Sequence, residues 1–111
     1  MSNALEHNEG FQDSDAYRYI LESDELPSTD EAWEQDDFVC KVKLFNPTGP
    51  GTWWIAGYDP DRRVAVGVAE IHEREAGDIW MPELVEFRGV MGLPLERDLY
   101  YEPKKLSELL R

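Results

Sequence analysis

From Phe38 onward, apolar and polar residues alternate in short runs broken by clusters of turn-forming residues, a texture that predicts strands. In Phe38–Phe45, Cys40, Val42 and Leu44 fall on one parity against Val39, Lys41 and Lys43, the pattern of a half-buried strand. Asn46–Gly51 holds prolines and glycines and predicts a turn. Thr52–Tyr58, rich in aromatic and β-branched residues, predicts the second strand. Asp59 followed by Pro60 suits a type I turn. Val64–His72 predicts a third strand with Ala65, Gly67 and Ala69 on one face, where a neighbouring aromatic ring would lie flat. Ala76-Gly77-Asp78 reads as a further turn, and Asp78–Met81 as a short fourth strand.

Helical signals flank this region. Pro82 stands at a first helical position, with acids behind it and Gly89 where a C-cap belongs. Gly92–Pro103 predicts an extended tract headed by Pro94, and Lys104–Arg111 a closing helical turn or two. Upstream, Ala16, Tyr19 and Ile20 recur at i, i+3 and i+4, and Tyr17 and Leu21 stand four apart. These spacings predict a helix over 15–24 that docks through its aromatic–aliphatic face, ends before Leu26-Pro27, and leaves residues 1–13 mobile. Trp33, alone among acids, is expected to anchor its loop with its N–H paired. The fold class is α+β: an antiparallel meander of three to four strands with short helices and an acidic N-terminal arm.

Length and charge sharpen that outline. With 111 residues the chain suits one modest core. Its net charge of −13 is uneven: residues 1–37 carry −11 and residues 38–111 only −2. The chain therefore divides into an acidic arm, 1–37, and an α+β domain, 38–111. The arm is read either as a solvated leader or as a surface that docks on a basic partner or imitates a nucleic acid. Direct nucleic-acid or anionic-membrane binding as a polycation is excluded. No apolar stretch has bilayer-spanning length, and no secretory signal pattern opens the chain. The single cysteine, Cys40, fits a cytoplasmic location.

Candidate chemistry is sparse. No phosphate-cradling glycine loop occurs, and one cysteine with two histidines argues against zinc, so neither cofactor nor metal is expected. Cys40 lies on the apolar parity of its strand and reads as an inert buried thiol. Glu70, His72 and Arg74 share one face if the third strand runs through them. They read either as an acid–base cluster or as a strand end entering solvent. Arg97, beside Leu99 and Tyr101, reads either as a reader of a planar anion or as the partner of a carboxylate that pins the tract to the sheet. Trp53, Trp54, Tyr58 and Trp80 are more aromatic surface than so small a core needs. Trp53 and Trp54 must point to opposite faces, which leaves at least one available to a partner.

Lys43-Leu-Phe-Asn-Pro, Thr52-Trp-Trp-Ile-Ala-Gly-Tyr-Asp-Pro, Pro82-Glu-Leu and, above all, Gly92-Leu-Pro-Leu-Glu-Arg-Asp-Leu-Tyr-Tyr-Glu-Pro with Leu106-Ser-Glu-Leu form a specific series. Over about residues 41–110 the chain resembles the bacterial family catalogued as domain of unknown function 2958. The resemblance implies carriage on plasmids, phages or integrated elements, and brings no activity, cofactor or catalytic residue. The function expected is therefore a small, non-enzymatic, acidic protein-binding module of a mobile genetic element. It would engage a basic or nucleic-acid-binding partner through Trp53, Trp54, Tyr58, Trp80, Arg97 and Tyr101. The alternatives are a small hydrolase or transferase using Glu70, His72 and Arg97, and a ligand-sensing module with the tryptophans as its pocket.

Overall fold

A computed structural model describes residues 19–111. Its centre is a five-stranded antiparallel sheet of β2 (Val42–Phe45), β3 (Thr52–Asp59), β4 (Val64–Glu70), β5 (Arg74–Trp80) and β6 (Glu96–Arg97), in the order β5-β4-β3-β2-β6. A second, two-stranded ladder joins β1 (Val39–Cys40) to β7 (Lys104–Lys105). Strands β2 to β5 form the expected meander; the fold is mostly β, compatible with the α+β class, with more strands than the three or four expected.

Among the described residues, three short α-helices cover the sheet. α1 (Thr29–Trp33) opens on a capping box: Ser28 Oγ accepts from Glu31 N at 3.1 Å, and Glu31 Oε1 accepts from Ser28 N at 2.9 Å. These Ser28 hydrogen bonds, the backbone one foremost, hold the Glu31 carboxyl below the usual carboxylate range. α2 (Met81–Glu86) begins one residue before Pro82, which is its second residue rather than the expected first and still lies in the first turn. α3 (Leu106–Leu109) follows β7 directly, so Lys104 and Lys105 are extended rather than helical.

While β5 is largely exposed, both faces of the central strands carry buried clusters. On one, Val42, Leu44, Ile55, Tyr58, Ala65 and Ile79 pack beneath α2, with Leu95, Tyr19 and Ile20 completing the cluster. On the other, Trp54, Ala56 and Val68 pack with Phe38, Cys40 and Leu109 of α3. The parity expected through Cys40, Val42 and Leu44 breaks at Lys41, whose N–H donates to the Ile55 carbonyl at 3.0 Å. All three residues are buried, but Cys40 serves the second cluster while Val42 and Leu44 serve the first.

The register between β3 and β4 shifts between Ile55 and Gly57, so one extra residue occupies β3. The Trp54 carbonyl there comes so close that a Cβ on Gly67 would lie 1.8 Å from its oxygen. Backbone, rather than an aromatic ring, thus occupies the space above Gly67.

Three expectations need correction. The turn placed at 76–78 lies inside β5; the chain reverses at Ile71–Glu73 instead. Gly77 is tolerated there because it pairs with Gly67 and has open space at its Cβ position. Gly89 does not cap α2; Phe87 takes that place. The helix expected over 15–24 is absent from its described part, where a 3₁₀ turn spans Glu22–Asp24. Tyr19 and Ile20 are nonetheless buried in the first cluster. The remainder of that helix, and the mobility expected of residues 1–13, lie outside the described residues.

Candidate functional site

The three side chains proposed for hydrolysis or group transfer do not converge. Glu70 pairs across the hairpin with Arg74, whose Nε donates to Glu70 Oε1 at 2.9 Å. Arg74 also lies over the Trp54 ring, 4.8 Å from its centroid, and donates to the Leu109 carbonyl at 2.7 Å. The Glu70–Arg74 pair therefore fastens α3 and β5 over Trp54. His72 sits in the exposed reversal rather than on the strand. Arg97 belongs to β6, three strand spacings from β4, or about 14 Å by sheet geometry. Its register with Leu44, Trp53, Ala69 and Glu75 also places it on the opposite face from Glu70. Among the described residues Glu70, His72 and Arg97 therefore share no common site.

Arg97 has another task. Its Nη1 and Nη2 donate to Asp24 Oδ2 and Oδ1 at 2.7 and 2.5 Å, and Nη1 also reaches the Tyr19 carbonyl at 3.1 Å. The pairing anticipated as a pin is thus made, and it ties residues 19–24 to the sheet edge. Opposite, Tyr19 Oη donates to the Leu95 carbonyl at 3.0 Å. Tyr101 Oη donates to the Cys40 carbonyl at 2.7 Å, and burial raises its hydroxyl pKa.

The aromatic residues expected to meet a partner are scattered among environments. Trp54 and Tyr58 are buried, and Trp53 is half-buried against the first cluster. Burial also pushes the Tyr58 hydroxyl pKa up. Among the four, only Trp80 is open to solvent, at 54%. The expected six residues therefore form no single surface.

A different grouping does form one. Trp33 is 47% exposed, its ring edge-on to Phe38 at 5.6 Å, and its Nε1 donates to Asp78 Oδ1 at 3.3 Å. The N–H is paired as expected, though the ring is only partly covered. Asp78 and Trp80 stand two apart on β5 and so share a face. The adjoining 59–63 turn is built on Asp59, whose Oδ1 accepts from Asp61 N and Arg62 N while its Oδ2 accepts from Arg62 Nε at 2.7 Å. These bonds, led by that from the Arg62 side chain, hold the Asp59 carboxyl below its usual range. The Asp59 hydrogen bond, joined by the charges of Asp59, Asp30 and Asp78, raises the Arg62 pKa. The result is an acidic corner, with three carboxylates around one guanidinium, Trp33 bonded to Asp78, and Trp80 on the same strand face.

Sequence reasoning noticed Trp33 and Trp80 separately and missed Asp78, because the bond joining the α1 end to β5 spans 45 positions. The Ser28-x-x-Glu31 box that places α1 was the local signal available. Among the described residues, no group of three or more His, Cys, Asp or Glu side chains is placed to hold a metal ion. No described helix is long and apolar enough to cross a membrane.

The architecture is a mostly β fold, compatible with the α+β class, whose central antiparallel strands are buried on both faces beside an acidic, aromatic corner. The chain belongs to the family described as protein of unknown function (DUF2958), whose model matches residues 18–111. The match begins well before the 41–110 stretch that carries the resemblance, consistent with the burial of Tyr19 and Ile20 in the core. No curated protein and no solved structure matches the chain.

Proposed function

We propose that this protein is a small non-enzymatic binding module that engages a basic protein partner, such as a nucleic-acid-binding protein, through its acidic corner. The observation that carries the reading is the exposure of Trp33, whose ring nitrogen bonds Asp78, and of Trp80, two residues from Asp78 on the same strand face. A lysine or arginine side chain there gains an ion pair and a ring face together, an arrangement worth about 1–2 kcal/mol when partly desolvated. The net charge of −13 steers a cationic partner toward the molecule and discourages an acidic one. Carriage on a mobile genetic element belongs to the same proposal, supported by the family resemblance alone and tested by gene neighbourhood. A cytoplasmic setting is likewise proposed, from the lone, buried Cys40.

The test compares proteins captured by the full chain with those captured by an Asp78→Lys/Trp80→Ala variant, quantified at low and high salt. The expected outcome is a set of basic proteins that the variant and high salt both lose. A captured set without basic enrichment, or one unchanged by the variant, sinks the reading.

A further inference from the structure

The face of the sheet opposite the acidic corner carries a separate apolar groove of about 250 Å³. Trp53, Leu84, Phe87 and Leu95 line it, Ile71 stands at one end, and Glu83 is at its rim. Ile71 also borders an adjoining hollow of about 270 Å³ that adds Glu73, Glu75 and the exposed His72. An apolar trough thus runs into a rim of three carboxylates.

Its walls are held in place. Gly51, at φ +126°, lets the 46–51 turn close on Trp53; a Cβ there would meet the ring at 2.8 Å. Asn46 organises that turn by accepting from Thr48 N at 3.0 Å and donating to the Pro50 carbonyl at 3.1 Å. Thr48 Oγ1 accepts from Val90 N at 3.1 Å and so fixes the neighbouring loop. Further bonds from Gly89 N to the Leu93 carbonyl and from Gly92 N to the Gly89 carbonyl tighten it. At its tip Met91 is held at φ +63° while 89% exposed, flanked by exposed Val90 and Leu93. Met91 thus presents an exposed apolar side chain on the loop beside the groove. Methionine at such a position offers a soft, adaptable contact.

We propose that this groove receives a short, basic, amphipathic segment of a partner protein. An apolar side chain of the segment seats against Trp53, and its lysine or arginine neighbours face Glu73, Glu75 and Glu83. Charge selects this occupant: the rim is acidic, and nearby Arg88 turns its guanidinium onto the Val85 and Phe87 carbonyls, at 3.0 and 2.6 Å. An acidic segment would meet only repulsion there, and a purely polar one would leave the trough unfilled. Because the groove and the corner lie on opposite faces, either site can fail without the other.

The test follows the tryptophan indole N–H resonances of the ¹⁵N-labelled full chain during titration with a hexapeptide of alternating lysine and leucine. Alternating glutamate–leucine and lysine–glycine peptides serve as controls. The lysine–leucine peptide is expected to move the Trp53 resonance saturably, to keep doing so in Trp80→Ala, and to bind about fivefold more weakly to Glu83→Lys or Glu73→Lys. Three outcomes overturn the proposal: no movement of Trp53, equal movement with either control, or movement set by protein concentration alone. The last would show a second copy of the chain occupying the groove.

Discussion

Two glycines that look alike in the sequence meet opposite surroundings. Gly67 and Gly77 pair across β4 and β5, yet a Cβ on Gly67 would meet the Trp54 carbonyl oxygen at 1.8 Å while one on Gly77 meets nothing. The extra residue in β3 brings that carbonyl inward, and only a residue without a side chain can lie beneath it. Gly67→Ala is expected to destabilise the protein by about 3 kcal/mol, because two central strands must separate. Gly77→Ala should be neutral or stabilising by about 0.5 kcal/mol, since a strand residue gains from lost unfolded-state freedom. Chemical denaturation of both variants checks the pair, and similar losses would mean that the Trp54 carbonyl does not close over Gly67.

At the scale of elements, the 19–24 segment holds to the sheet by one side chain more than by its own conformation. Arg97 and Asp24 make two parallel hydrogen bonds with side chains only 17% and 9% exposed, and Arg97 also satisfies the Tyr19 carbonyl. Removing the guanidinium strands a mostly buried carboxylate, so Arg97→Met should cost about 3 kcal/mol, with part of the loss recovered in Asp24→Leu/Arg97→Met. A double-mutant cycle measures this, and a loss below about 0.5 kcal/mol would class the contact with solvent-screened surface pairs. Local pattern named the carboxylate role of Arg97 but not its partner 73 positions away. It drew a helix through Tyr19 and Ile20 because their spacing fits one. Burial of both residues is met instead by an irregular segment ending in the Glu22–Asp24 turn. The β4–β5 reversal was misplaced for a related reason: Gly77 looks like a breaker, but an outer strand facing open space tolerates it.

Over the whole molecule, strand positions were legible wherever apolar residues alternated between clear turns, as at Asn46–Gly51 and Asp59–Arg63. Which face a residue serves was legible only up to the first irregularity. Cys40 illustrates this, since the break at Lys41 moves it from the α2 side to the α3 side. The corner was beyond local reading because Trp33 and Asp78 meet only through the packing of α1 on the sheet. Cys40 also reports on the fold as a unit, because burial pushes its thiol up to about 12. An ordinary thiol ionises near about 8.5, so above that pH the unfolded chain loses a proton that the folded chain retains. The contribution of Cys40 to stability is therefore full below the unfolded value and declines as pH rises toward about 12. Between neutral pH and pH about 10, wild type should lose more denaturation resistance than Cys40→Ala. Equal losses would mean that the thiol already meets solvent in the folded protein.

The two ends of the main sheet differ in length. β6 closes one side with two residues, whereas β5 offers seven, and no other described strand pairs with its outer side. Such an edge can template growth, and here Arg74, Glu75 and Asp78 stand exposed along it as gatekeepers. A parallel, in-register stack would place like charges close together at each layer. The same carboxylate that helps form the corner thus also disfavours that parallel stacking. Replacing all three charges with small neutral residues would leave a flat, unguarded strand, and the molecule's colloidal behaviour would then be set by that edge.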